Sequence, residues 1–136
     1  MTEKQLVALA KDAMRGAYAP YSGYTVGAAL LCADGAVYTG CNIENASLTP
    51  TVCAERVAIF KAVSDGRRDF SAIAVAGGRQ GSIAGFFLPC GVCRQVLREF
   101  CCPDTFLVHL GGVGDEIRTL RLGELFPFGF SGEDMR

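Results

Sequence analysis

"FSAIAVAGG", residues 70–78, is a nearly continuous apolar run that ends in paired glycines. Its length and its small and branched residues predict a strand buried on both faces, and such strands belong to sheets covered by helices on either side. The flanks agree with that reading. Before it, "CAERVAIFKAVSDG" (53–66) follows Pro50, carries helical periodicity and reaches a C-terminal stop at Gly66. After it, the loop 79–89 leads to Pro89, a helix is predicted from about Gly91 to Phe100 with Pro103 stopping it, and "TFLVHL" (105–110) supplies another buried strand.

Further out, "TVGAALLCADGAVYTGCNIEN" (25–45) reads as two strands joined at Asp34-Gly35, a β-hairpin. "APYSGY" (19–24) separates it from an opening helix. That helix has a capping-box pair, Thr2 and Gln5, and Leu6, Leu9, Ala10, Ala13, Met14 and Ala17 recur at helical intervals up to about Tyr18. Near the end, "EIRTLRLGELF" (116–126) predicts a short strand and a short helix before the tail "PFGFSGEDMR". Alternating elements in this order predict one α/β domain over residues 1–136, a three-layer α/β/α sandwich with a mixed sheet of about five strands.

The bulk composition narrows the function. At 136 residues, half of them apolar and a fifth charged, the chain can bury a core without disulfides, and neither disorder nor a repeat array fits. The net charge of −1, with acids and bases interleaved, leaves no basic stripe to follow a phosphate backbone, so long nucleic acids are not expected partners. "MTEKQLVALAKDAM" holds no apolar block of signal-peptide or membrane-span length, so no membrane association and a cytoplasmic location are expected. In a reducing compartment, an odd count of seven cysteines turns attention to thiolate chemistry or metal binding.

The Cys90/Cys93 pair alone leaves three readings open: a redox pair, half of a zinc site, or two buried thiols. Cys53 changes the odds, because it places a third thiol at the start of the 53–66 helix while Cys90 and Cys93 begin the next one. Helix N-termini present unpaired N–H groups and positive potential, which steady the thiolates zinc requires. Three ligands without a fourth make an open, catalytic type of site. His109, the only histidine, falls in a strand and is expected in the core or at a sheet edge; Cys32, Cys41, Cys101 and Cys102 are expected to be buried as small apolar groups.

An open zinc site needs a proton carrier, and Glu55 is two residues past Cys53. In regular helix that offset is about 200°, so both side chains can address one site only if Cys53 stands at the very edge of the helix. Three thiolates on one zinc leave a net negative charge that a cation nearby would offset. Arg56 is the candidate, and for Arg94 that role and an exposed helix face stay equally open.

"CAE" followed by "PCGVC" resembles the zinc-deaminase signature. With "APYSGYTVGAAL", "GCNIENAS", "CAERVAIFKAV", "PCGVCRQVL" and "FSGED", nearly the whole chain resembles the small homotetrameric cytidine deaminases. The resemblance implies one zinc per subunit held by Cys53, Cys90 and Cys93. It implies that Glu55 takes a proton from the zinc-bound water and delivers it to N3 of the pyrimidine as C4 is attacked. The implied activity is deamination of cytidine and 2′-deoxycytidine to the uridine products and ammonia, in pyrimidine salvage. By the same resemblance Asn42 and Glu44 bind the ribose hydroxyl, Tyr24 packs by the base, the Ala54 N–H binds the pyrimidine carbonyl, and Phe130, in the tail 126–136, reaches a neighbouring subunit's site. Phe126 and Phe128 are expected in core or interface packing.

Two departures bear on sugar and base preference: Leu48 stands where the family often has tyrosine, and Tyr24 where it commonly has phenylalanine, which adds a hydroxyl in need of a partner. Deamination of a related aminocytosine compound such as blasticidin S is the alternative within enzymes. A closed, non-catalytic zinc module and a thiol-redox protein using Cys90 and Cys93 are the alternatives outside this class.

Overall fold

The computed structural model describes residues 1–135. In chain order the elements are α1 (Glu3–Ala13), β1 (Tyr24–Cys32), β2 (Val37–Cys41), α2 (Ala54–Ser64), β3 (Phe70–Arg79), α3 (Gly91–Phe100), β4 (Leu107–Gly111), β5 (Ile117–Arg121) and α4 (Leu122–Leu125), with 3₁₀ turns at Met14–Gly16 and Gly132–Met135. The strands form one sheet in the order β2-β1-β3-β4-β5. Only β3 and β4 run parallel. A parallel pair requires a crossover, and α3 lies within it.

The period of two along each strand sorts side chains into two cores. Val26, Ala28 and Leu30 of β1 and Ile73 and Val75 of β3 face Ala58 and Ile59 of α2 and Leu97 of α3. On the other face Ala29, Ala72, Ala74 and Ala76 lie under Leu6, Val7 and Ala10 of α1. These alanines keep the α1 layer close to the sheet. Gly27 marks the closest approach, since a Cβ there would be 1.9 Å from the Ala10 carbonyl oxygen. The three-layer sandwich with five mixed strands follows from this sorting.

The predicted capping box is present: the Gln5 N–H donates to Thr2 Oγ1 at 3.1 Å, and the Thr2 N–H to Gln5 Oε1 at 2.9 Å. The first helix is shorter than its periodicity predicts. α-Helix ends at Ala13 and tightens into the 3₁₀ turn, after which the Tyr18 N–H donates to the Asn42 carbonyl at 2.9 Å and the Glu44 N–H to the Tyr18 carbonyl at 2.8 Å. Pairing with the segment after β2 takes Ala17 and Tyr18 out of the helix. β4 likewise begins at Leu107 rather than at Thr105, because Phe106 turns back to the Cys102 carbonyl, 2.9 Å away. Among the described residues no helix is long and apolar enough to cross a membrane.

Candidate active site

The sheet fixes where α2 begins. Gly40 of β2 lies against its first turn, and a Cβ at Gly40 would come within 2.6 Å of both the Ala54 carbonyl oxygen and the Ala58 nitrogen. Cys53, the N-cap residue, has φ −79° and ψ 157°. This extended backbone meets the condition set by the sequence, that Cys53 stand outside the helix so that its thiol and the Glu55 carboxylate can face one cleft. Cys90 caps α3 in the same way, at φ −69° and ψ 168°.

The two helix starts bring three sulfur atoms together. Cys53 and Cys90 Sγ are 3.6 Å apart, Cys90 and Cys93 Sγ 3.5 Å, and all three lie within 4.8 Å of one another. Four sulfur-type ligands about 2.3 Å from one zinc ion would stand about 3.8 Å apart. The spacing fits a single ion, and the soft donor set fits zinc. Among the described residues no other cluster of metal-binding side chains exists.

The neighbouring Cys93 thiol, with further help from Arg56 and Cys90 against the cost of burial, holds the Cys53 thiol down to about 5. The same closeness to Cys53, with burial adding to it, holds the proton on Cys93. Arg56 Nη2 donates to Cys53 Sγ at 3.4 Å. Burial opposes its charge, but the nearby Cys53 and Cys93 sulfurs outweigh that. Glu55 is only 3% exposed. Burial pushes its carboxyl up to about 7, with the Cys53 charge adding to the effect. Its Oε1 has no hydrogen-bond partner, an orientation and affinity suited to accepting and returning protons near neutral pH.

Glu55 opens on a cleft of about 270 Å³ whose wall includes Cys53, Cys90, Tyr24, Asn42 and Glu44. A larger, shallower groove of about 620 Å³ runs along α2 past Tyr38 and Phe60 but holds no such cluster, so volume does not locate the chemistry here. Asn42 is buried and spans β1: its Oδ1 accepts from the Val26 N–H at 2.9 Å and its Nδ2 donates to the Tyr24 carbonyl at 2.8 Å. One N–H and one lone pair stay available. Glu44 Oε1 accepts from the backbone of Tyr21 at 2.9 Å and Ser22 at 3.1 Å, and its Oε2 accepts from the Ser22 hydroxyl at 2.5 Å. Ala54 is fully buried, and as the first residue of α2 it has an N–H without an intrahelical partner.

Other predicted residues lie elsewhere. Phe130 is 58% exposed and outside the chain's own cleft. Phe128 is fully exposed, which excludes it from the core of the chain. Leu48 is exposed at the tip of its loop with φ 65°. His109 is buried, with Nδ1 2.7 Å from Thr119 Oγ1, and takes no part in the thiol cluster. Arg94 fills neither expected role: it donates to the carbonyls of Pro89 at 2.8 Å and Leu125 at 2.7 Å, tying α3 to α4. Burial describes Cys32 and Cys101, but Cys41 is only partly covered and Cys102 is exposed, since it follows Cys101 past the helix end and points outward.

Sequence reasoning missed Ser22, Phe87 and Leu88 in the cleft wall. A signal existed. "FFL" just before Pro89 is apolar where a surface loop is not, and Gly77 leaves a hollow in which a Cβ would be 3.0 Å from the Phe87 ring.

A mixed sheet that aligns two helix starts, three thiols and a buried glutamate defines a metal-dependent hydrolytic centre of the deaminase kind. Residues 1–109 match the model of the cytidine and deoxycytidylate deaminase zinc-binding region. The chain is 49% identical to a cytidine deaminase of Halalkalibacterium halodurans and 47% identical to one of Sporosarcina psychrophila, in each case over 99% of this chain and 98% and 96% of the relative. The crystal structure of cytidine deaminase from Burkholderia pseudomallei superposes with a TM-score of 0.87 at 45% identity, covering 96% of this chain and all of that one. The chain belongs to the cytidine and deoxycytidylate deaminase family.

Proposed function

We propose that this protein deaminates cytidine and 2′-deoxycytidine hydrolytically, giving uridine or 2′-deoxyuridine and ammonia, in pyrimidine salvage. The observation that carries the reading is a buried glutamate with a free oxygen beside three clustered thiols at the starts of two helices, with Glu55, Cys53 and Cys90 lining one nucleoside-sized cleft. Zinc on Cys53, Cys90 and Cys93 would supply the Lewis acidity that lets water ionise near neutral pH.

The chain's own residues do the rest. Glu55 takes a proton from the attacking water and delivers it to N3 of the pyrimidine, then carries the second proton to the departing amine, so water is consumed and ammonia released in balance. The Ala54 N–H holds the pyrimidine carbonyl, Tyr24 packs by the base, and Asn42 and Glu44 read the ribose hydroxyl with the valences left over from their bonds to the backbone. Arg56 offsets the thiolate charge.

Residues 1–136 act as one domain, and the tail from 126 carries Phe130 into the site of a neighbouring subunit in a homotetramer. Seven free thiols suit a cytoplasmic location. The relatives named above support the nucleoside rather than a blasticidin-type substrate. The test is the loss of cytidine absorbance on adding the protein, with and without long incubation with a zinc chelator. Turnover that the chelator abolishes supports the reading, and inactivity on both nucleosides alongside activity on blasticidin S reverses it.

A further inference from the structure

The hydroxyl that distinguishes Tyr24 from phenylalanine has a partner. Tyr24 and Arg79 face each other where β1 and β3 pair at the end of the ladder. The Arg79 guanidinium carbon lies 5.0 Å from the Tyr24 ring centroid, and Nη2 donates to the phenolic oxygen at 3.3 Å. One cation therefore meets both the π face and the hydroxyl of the ring. On the cleft side Phe87 approaches the same ring, with centroids 6.1 Å apart and planes at 46°.

Tyr24 needs such support, because it is 40% exposed and packing alone does not hold it. Arg79 is itself well placed to give it. A tight turn with φ 51° at Gln80 and 81° at Gly81 follows it, the Ser82 N–H donates to the Arg79 carbonyl at 3.0 Å, and the Gln80 N–H donates to the Gly23 carbonyl at 2.7 Å. The backbone on either side of the pair is thus cross-linked. Arg79 forms no ion pair among the described residues, so its charge is not committed to a carboxylate.

We infer that Arg79 is a positioning residue: it clamps the Tyr24 ring against Phe87 as a fixed wall of the cleft, and so strengthens substrate binding without touching substrate. The inference rests on the reading of Tyr24 as the aromatic beside the base. A residue that only closed the strand ladder would change stability and leave KM alone.

The experiment is steady-state deamination of cytidine by zinc-loaded Arg79→Ala and Arg79→Lys, each in the Tyr24 and the Tyr24→Leu background, with zinc content and Tm recorded for every variant. Arg79→Ala is expected to raise KM by roughly two- to fivefold, the range of an exposed cation–π contact, with kcat nearly unchanged. Arg79→Lys, which keeps the cation, is expected to restore part of that loss, and Tyr24→Leu to remove the effect of Arg79→Ala altogether. An unchanged KM in Arg79→Ala, an equal effect in the Tyr24→Leu background, or a loss of Tm with no change in KM overturns the inference alone. A wild-type protein that leaves cytidine untouched, or a Tyr24→Leu variant with unaltered KM, overturns the underlying reading and the inference with it.

Discussion

Gly40 and Ala54 are in direct backbone contact: hydrogen is the only side chain β2 can present there, because a Cβ would be 2.6 Å from the Ala54 carbonyl oxygen. The neighbouring atoms are helix backbone and cannot yield. Gly40→Ala should therefore push the start of α2 off the sheet, at a cost of about 1–3 kcal/mol for overpacking. Cys53 and Glu55 would move with it. Thermal unfolding and zinc stoichiometry measured together check this, the expectation being a lower Tm and weaker zinc retention. A variant with wild-type values in both would show that this contact does not set the site.

The seven cysteines should divide by position. Cys53→Ser, Cys90→Ser and Cys93→Ser are each expected to lose most bound zinc, and with it the stability that metal binding adds to the folded state. Cys102→Ser, at an exposed position outside the cluster, should keep zinc near one equivalent. Metal analysis after dialysis separates the two groups, and zinc loss in Cys102→Ser would contradict the assignment.

His109 supplies a pH test remote from the zinc ligands. Burial holds its pKa below the ordinary 6.5, only partly opposed by the Glu3 charge. The unfolded chain therefore takes up a proton more readily, so the stabilising contribution is complete above pH about 6.5 and is lost as pH falls through that value toward the folded pKa. As the only histidine, it gives a single imidazole titration by NMR. The expected midpoint is below 6.5, and His109→Gln should flatten the fall in Tm between neutral and mildly acidic pH. A midpoint above 6.5 would reverse the sign.

The tail should matter to binding and not to metal. Arg94 ties the Leu125 carbonyl to α3, and Gln95 Nε2 donates to the Phe130 carbonyl at 3.0 Å. Phe130→Ala is expected to raise KM for cytidine while zinc content stays constant. Arg94→Ala, which strips a cation from two half-buried carbonyl contacts, should cost about 2 kcal/mol of stability as well. If Phe130→Ala leaves KM unchanged in a protein that sediments as a tetramer, the tail does not reach a neighbouring site.

Some of this architecture was legible in the chain and some was not, for physical reasons. Residues 70–78 declared a two-faced strand because both faces are apolar, and Thr2 with Gln5 declared a helix start because capping is local. The thiol cluster was legible because three cysteines at the starts of two helices point to a metal together, where Cys90 and Cys93 alone left redox and buried-thiol readings open. The end of α1 was not, since Ala17 and Tyr18 fit the helical period and are claimed by pairing with the segment after β2. Nor could spacing reveal the Arg79 contact with Tyr24, which depends on strand register, or the destination of Arg94, whose partners are backbone carbonyls near and far along the chain.

Glu55→Gln tests the central claim most directly. The substitution keeps the shape and burial of the side chain and removes its capacity to carry a proton, and zinc content and Tm can be read on the same sample as cytidine turnover. The account predicts one zinc per chain, a folded protein, and a kcat lowered by roughly 10²- to 10⁴-fold. Near-normal turnover with zinc in place would contradict it.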